Sequence, residues 1–210
     1  MIKLLIADDH AMIREGVKNL ISNEPDLKII GETSEPLTIV ESARRLKPDL
    51  IILDISMPGK SGLDVLKELK LFHPDVRVLV MSMFPEEQFA KRALKSGAAG
   101  YITKDSSPEE LLIAIRKTAA GRKYVSQTLA ENLAGSLDEK TDKPLSELLS
   151  DREFQILRLI ASGNSQTSIS KQLSISISTV NTYRKRILEK LNMHTNAELI
   201  HFAITNRLID

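Results

Sequence analysis

Five short apolar runs punctuate the first half of the chain, at residues 3–7, 27–31, 50–53, 76–81 and 100–103. They are rich in Ile, Leu and Val and bounded by Asp, Pro or Gly. Near-continuous apolarity of this length predicts strands buried on both faces, as in a parallel sheet. Between the runs the apolar positions switch to helical spacing: Met12, Val17, Leu20 and Ile21, then Leu63, Leu66, Leu69 and Phe72, then Leu111, Leu112, Ile115 and Ala119. The last of these helices has its start signalled, with Ser107 as N-cap, Pro108 at the first helical position and Glu110 closing a capping box. Five βα repeats joined by right-handed crossovers predict an α/β fold, a doubly wound five-stranded parallel sheet with helices on both faces.

Gly121 breaks the pattern. Residues 121–145 are polar, with room for one short helix over 126–137, and 140–144 read as linker. From residue 146 the spacing is helical throughout. Ser150 and Glu153 form a capping box ahead of Phe154, Ile156, Leu157, Leu159 and Ile160, and Gly163 ends that helix. A short helix over 166–173 follows, then a tight turn through 174–176 and a longer helix over 177–191. Thr195 and Glu198 cap a final helix bearing Leu199, Ile200, Phe202, Ala203 and Ile204. Four short helices make a small all-α domain. The expected division is therefore 1–120, a connecting stretch 121–145, and 146–210.

Composition narrows the class. Of 210 residues, 42% are hydrophobic and 27% charged, which excludes wholesale disorder and a collagen-like repeat. No apolar run approaches the roughly 20 residues of a membrane-spanning helix. The opening residues reach Asp8 and Asp9 too soon to hold a secretory apolar region. With no cysteine, a disulfide framework, thiol catalysis and thiolate zinc sites are excluded; a cytoplasmic chain is expected. The net charge of +1 conceals one cluster, Arg184, Lys185, Arg186 and Lys190, suited to a polyanion. His10, His73, His194 and His201 are scattered without metal-ligand spacing and receive no chemistry.

Ligands of open parallel sheets bind beyond the carboxyl ends of the strands. Those ends carry Asp8 and Asp9 after the first run, Asp54 after the third, Ser82 after the fourth and Lys104 after the fifth. Three converging carboxylates repel one another, and a hard divalent cation such as Mg2+ relieves the repulsion while keeping positions open for phosphoryl oxygens. Lys104 offers that phosphoryl group a point charge and Ser82 a hydroxyl donor. Taken singly, Asp9 reads as a helix cap and Lys104 as a solvated side chain; the spaced combination is what points to a site.

The stretches Ile6-Ala7-Asp8-Asp9-His10, 52–59, 61–64, Val80-Met81-Ser82 and 97–104 together resemble a response-regulator receiver domain, and the whole chain resembles a NarL/FixJ-type response regulator. The resemblance implies a flavodoxin-like fold and a phosphoacceptor role for Asp54, charged by a cognate sensor histidine kinase to give an acyl phosphate. It also implies Mg2+ held by Asp9 and Asp54 directly, by Asp8 through water and by the Ser56 carbonyl. Ser82 and Tyr101 take the switch positions, the tyrosine ring turning inward as the Ser82 hydroxyl moves toward the phosphoryl oxygens. Edge packing is the plainer reading of Tyr101. Ser56 and Phe84 stand where the family tunes dephosphorylation. Asp105 replaces the proline that many receivers carry after the lysine, and a cis bond there would cost about 3–4 kcal/mol relative to trans.

In the tail, Val180, Tyr183, Ile187 and Leu191 share one helical face, leaving Ser178, Asn181, Thr182 and Lys185 on the other, flanked by Arg184 and Arg186, with Lys190 near the end. Such a helix fits a major groove, although a solvated amphipathic helix is the commoner use of the pattern. Leu148-x-x-Asp151-Arg152-Glu153, 160–163, 169–173, Ser176-x-x-Thr179-Val180 and Ile187-x-x-Lys190-Leu191 resemble the LuxR-type helix-turn-helix domain. The resemblance implies base contacts from Asn181, Thr182 and Lys185, backbone contacts from Ser178, Thr179, Arg184, Arg186 and Lys190, and a final helix that pairs two copies on double-stranded promoter DNA, although its Leu199, Ile200, Phe202 and Ala203 fit an intramolecular core equally well. Tyr183 and Asn181 depart from common family residues, so base preference does not carry over. The expected function is a phosphorylation-controlled DNA-binding regulator, not an enzyme, dimeric when phosphorylated and without a membrane partner. The alternative is a phosphorylation-independent DNA-binding regulator whose receiver serves as a docking module. An Asp-nucleophile phosphatase is disfavoured because Ser56 stands where its second acid belongs.

Overall fold

Leu4, Leu5, Ile6 and Ala7 are all fully buried, as are Leu50, Ile51, Ile52 and Leu53, so these strands are covered on both faces. In the computed structural model, which describes residues 1–135, 148–206 and 208–209, β1 (Ile2–Ala7), β2 (Leu27–Thr33), β3 (Leu50–Leu53), β4 (Arg77–Ser82) and β5 (Gly100–Thr103) form one parallel sheet in the order β2-β1-β3-β4-β5. Ala7 lies beside Leu53, Leu53 beside Val80, and Ser82 beside Thr103, so the strand ends finish in line. One face packs Leu4, Ile6, Leu50, Ile52, Leu79 and Met81 against Val17 and Ile21 of α1 (Ala11–Ser22) and Leu111 and Ile115 of α5 (Pro108–Ala119). The alternate residues Leu5, Ile51, Leu53, Val78 and Val80 point to the other side. There α2 (Ile39–Leu46), α3 (Gly62–Phe72) and α4 (Glu86–Lys95) complete the layers. Each buried Leu or Ile contributes about 1.5–3 kcal/mol.

The contacts divide the chain into two units, Met1–Asp138 and Glu139–Asp210. Residues 121–135, expected as connection, belong structurally to the first. Tyr124 extends the sheet beyond β5: its N–H donates to the Ala99 carbonyl at 3.0 Å, and its carbonyl accepts from Tyr101 N–H at 3.1 Å. Gly100 makes room for this, since a Cβ there would lie 2.9 Å from the Tyr124 carbonyl. Ser126 then caps α6 (Gln127–Gly135), accepting from Leu129 N–H, while its own N–H donates to Glu86 at 2.9 Å. The rest of the predicted 126–137 helix, and the 140–144 stretch, lie outside the described residues.

The second unit consists of α7 (Asp151–Ala161), α8 (Gln166–Leu173), α9 (Ile177–Leu191) and α10 (Asn196–Thr205). Capping boxes form at Ser107/Glu110, Ser150/Glu153 and Thr195/Glu198. Phe154, Ile156, Leu157, Ile169, Leu173, Val180, Ile187, Leu191, Leu199 and Phe202 are buried. Three expected core residues are exposed instead: Met12, Phe72 and Ile204. Met12 and Ile204 each stand five residues from a buried partner, Val17 and Leu199, an offset that turns them off the apolar face. Phe72 keeps its spacing but is the last residue of α3. The Lys104–Asp105 peptide is trans.

Candidate functional site

The strand ends are tied crosswise. Asp8 N–H donates to the Thr33 carbonyl of β2, Asp54 N–H to the Ala7 carbonyl of β1, and Lys104 N–H to the Ser82 carbonyl of β4. These bonds carry the ladder one residue past each strand and bring Asp8, Asp54, Ser82 and Lys104 to one crevice, at the point where the strand order reverses. Gly62 closes the loop below: a Cβ there would lie 2.3 Å from the Ile55 Cα, so only glycine lets α3 approach the segment after Asp54.

Asp8 and Asp54 are fully buried, and the Lys104 ammonium sits between them, 2.7 Å from Asp8 Oδ2 and 2.6 Å from Asp54 Oδ2. Burial pushes the Asp54 carboxyl above the ordinary range, opposed by Lys104. Burial alone would lower Lys104, but the pull of Asp54 and Asp8 outweighs it and its pKa rises. A lysine held charged between two carboxylates leaves one surplus negative charge, before Asp9 is counted. Asp54 Oδ1 accepts from Ser56 N–H at 2.7 Å. Ser82 Oγ lies 3.3 Å from Ser56 Oγ and accepts from Phe84 N–H at 3.2 Å. The Tyr101 side chain is fully buried, and its hydroxyl donates to the Phe84 carbonyl at 2.8 Å. The inward ring position that the resemblance links to switching is thus the one present here.

Ligand atoms from Asp8, Asp9, His10 and Asp54 all lie within 4.8 Å of one another. Asp9 Oδ1 is buried with no hydrogen-bond donor aligned on it; His10 Nδ1, though 3.0 Å away, is not so aligned. An unsatisfied buried carboxylate oxygen in an oxygen-rich, net-negative cluster fits a hard divalent cation. His10, assigned no chemistry from the sequence, therefore stands at the rim of the acids. Its position directly after Asp9 is the signal that the sequence carries, one that spacing between histidines does not register.

On α9 of the second unit, Ser178, Asn181, Thr182, Lys185 and Arg186 are exposed, and Thr179 and Arg184 half-buried. The Ser176 hydroxyl caps the helix and contacts the hydroxyls of Ser178 and Thr179, each at 2.7 Å. Arg186 lies over the Tyr183 ring, 6.0 Å from its centroid. Tyr183 is only half-buried, and Leu188 takes the core place beside Ile187. Besides Ser178 and Thr179, two cationic members of the expected backbone contacts have internal partners. Arg184 Nε donates to Asn196 Oδ1 at 2.6 Å, and Lys190 holds the buried Glu153 carboxylate at 2.6 Å. Lys190 thereby ties α9 to the start of α7, a structural employment that the sequence pattern did not reveal.

Comparison with known proteins decides the family. The family described as "Response regulator receiver domain" matches residues 4–116, and "Bacterial regulatory proteins, luxR family" matches residues 147–203. The chain belongs to the NarL/FixJ-type response regulators. It is 38% identical to the response regulator GacA of Pseudomonas aeruginosa over 100% of this chain and 99% of that protein. It is 35% identical to UvrY of Escherichia coli over 99% of this chain and 96% of that one. Among solved structures, RcsB of Salmonella enterica serovar Typhimurium, bound to a promoter with a phosphomimetic, matches with a TM-score of 0.65 and 25% identity over 96% of this chain and 98% of that one. The response regulator ChrA of a heme-sensing system matches with a TM-score of 0.54 and 27% identity over 99% of this chain and 98% of that one. The chain is accordingly a two-component transcription regulator with a LuxR-type DNA-binding domain, and the family is one of transcription factors rather than enzymes. Receiver domains bind Mg2+ at this acidic pocket. No described helix is long and apolar enough to cross a membrane.

Proposed function

We propose that this chain is a cytoplasmic regulator in which Asp54 accepts a phosphoryl group from a sensor histidine kinase, and that the acyl phosphate raises the affinity of the second unit for promoter DNA by favouring a dimer. The observation that carries the reading is Lys104 lodged between buried Asp8 and Asp54 beside the unsatisfied Asp9 oxygen. A carboxylate oxygen of Asp54 attacks phosphorus, the phosphorus–nitrogen bond of the donor phosphoimidazole breaks, and its electron pair leaves on the imidazole. Asp9, Asp54, the Ser56 carbonyl and, through water, Asp8 would hold Mg2+, which when bound supplies charge neutralisation for the transferred group.

Lys104 then exchanges a carboxylate for the new phosphoryl oxygens as its partner. Ser82 turns its hydroxyl to the same group, and in doing so leaves Phe84 N–H and Ser56 Oγ. The Phe84 carbonyl is held by Tyr101, whose backbone N–H holds Tyr124 at the root of the connecting segment. Added charge at Asp54 thus acts on the loop after β4 and on the attachment of residues 124–126. Asn181, Thr182 and Lys185 read base edges, while Ser178, Thr179 and Arg186 contact phosphates. Promoter-bound RcsB supports the DNA reading by likeness.

Intact-protein mass spectrometry after incubation with acetyl phosphate and Mg2+ tests the acceptor. The wild-type chain gains one phosphoryl group and Asp54→Asn gains none; equal uptake by the two would overturn the assignment.

A further inference from the structure

Asp8 Oδ1 accepts from His10 N–H at 2.8 Å, and Asp8 Oδ2 is ion-paired with Lys104 at 2.7 Å without an aligned hydrogen bond. Asp9 has no such backbone donor: its buried Oδ1 has the His10 ring nitrogen 3.0 Å away but not aligned to hydrogen-bond. The direction of the Asp9 carboxylate is therefore set mainly by its own backbone, and hence by the plane of the Asp8–Asp9 peptide. The carbonyl of that peptide accepts from Arg14 NH1 at 2.7 Å. Arg14 is one turn into α1 and its side chain is 18% exposed. Its Nε donates to Glu32 Oε2 at 3.2 Å, and Glu32 lies directly across from Ile6 on β2. Lys18 also binds Glu32, at 3.2 Å, and pairs with Glu15 rather than with the Asp8 carbonyl. One guanidinium thus fastens the peptide beyond β1 to the edge strand, in the forked geometry that arginine provides and lysine does not.

We propose that Arg14 is a positioning residue for the cation site: it fixes the Asp8–Asp9 peptide so that the Asp9 carboxylate faces the cluster before any cation arrives. The inference rests on reading the acidic cluster as a Mg2+ and phosphoryl site. Charge and positioning predict opposite signs. A cation acting by charge alone repels Mg2+, so its removal tightens Mg2+ binding. A residue that aims a ligand weakens binding when removed, and loss of such a support typically costs 10–100-fold in metal affinity.

The test titrates Mg2+ by calorimetry, and Mn2+ by electron paramagnetic resonance, into the full-length unphosphorylated chain and three variants. Arg14→Gln is expected to weaken both metals by about 10-fold or more. Arg14→Lys keeps the charge but cannot span Asp8 and Glu32 together, and it should fall between wild type and Arg14→Gln. Lys18→Gln removes the same charge from the same network while leaving Asp8 held, and it should bind at least as tightly as wild type. Unchanged or tighter binding by Arg14→Gln overturns the proposal, and so does equal weakening by Lys18→Gln, which would mark a general effect on the fold. Should Arg14→Gln not fold, Arg14→Lys decides: wild-type affinity contradicts the proposal. No metal binding by the wild-type chain would instead overturn the reading of the site, and this inference with it.

Discussion

The two units handle charge in opposite ways. In the first, Lys104, Asp8 and Asp54 are taken almost wholly out of water and held against one another at hydrogen-bond distance. In the second, Lys185 and Arg186 stand in solvent on α9, and Lys185 pairs loosely with Glu189, at 3.8 Å. A buried ionic cluster stores unfavourable energy that one added charge can redistribute. An exposed cationic face stores little; it acts only when a polyanion displaces its water and counterions. On the proposed function, the same contrast suits the first site to switching and the second to reading DNA.

Four substitutions sharpen or break this contrast, beginning with the largest effect. Lys104→Met leaves two buried carboxylates without their counter-charge and should destabilise the first unit by about 3–5 kcal/mol in urea unfolding. A loss below about 1 kcal/mol would mean that the cluster is better solvated than its burial implies. On the second unit, Lys185→Ala should leave stability nearly untouched. It should relax discrimination at one base pair by about 1–3 kcal/mol, read by competition between the target duplex and single-position variants. A uniform drop over all sequences would make Lys185 a phosphate contact.

Asp54→Asn should do the reverse of Lys104→Met. Asp54 has a raised pKa, so the folded state binds its proton more tightly than the unfolded state does. Its ionisation therefore costs stability as pH rises through the ordinary carboxylate range up to the folded value, and the cost is complete above that value. Lys104 keeps Asp8 in the variant. Metal-free thermal melts should show Asp54→Asn more stable by about 0.5–2 kcal/mol at neutral pH, the gain shrinking in acid. The smallest effect has the opposite sign. Burial alone would raise Glu153, but Lys190 and the Ser150 N–H outweigh it and hold it below the ordinary value of 4.5. Its contribution is present above that value and is lost as pH falls through the folded one. Glu153→Gln, which can still close the capping box, should cost the second unit about 0.5–1 kcal/mol at pH 7 and nothing at low pH.

Legibility in the sequence followed the same divide. The strand-end residues Asp8, Asp54, Ser82 and Lys104 were readable because a parallel sheet sends every strand's carboxyl end to one edge, so position along the chain fixes position in space. Arg14 was not readable. Its partners are a backbone carbonyl and Glu32 on another strand, and neither leaves a mark in hydrophobic periodicity. The helices α2 and α4 were under-signalled because α2 buries only Ile39 and Ala43, and α4 relies on Phe89, Ala90 and Ala93. Tyr124 looked like part of a polar connection because sheet extension there uses main-chain bonds and needs only Gly100 opposite. On α9, period picked out Val180, Ile187 and Leu191 of the core face but not Leu188, and it placed there Tyr183, which is only half-buried. It could not tell Lys190, which is spent on Glu153, from Lys185, which is not.

The central claim is that the buried cluster controls the exposed reader. It is tested most directly by the DNA affinity of the full-length chain for its promoter duplex at fixed salt, with and without acetyl phosphate and Mg2+, for wild type and Asp54→Asn. Coupling predicts that the phosphodonor tightens binding by wild type, in the range of 5–150-fold usual for such coupling, and leaves Asp54→Asn unchanged. Wild-type affinity that is the same with and without the donor would contradict it and leave the receiver as a docking module.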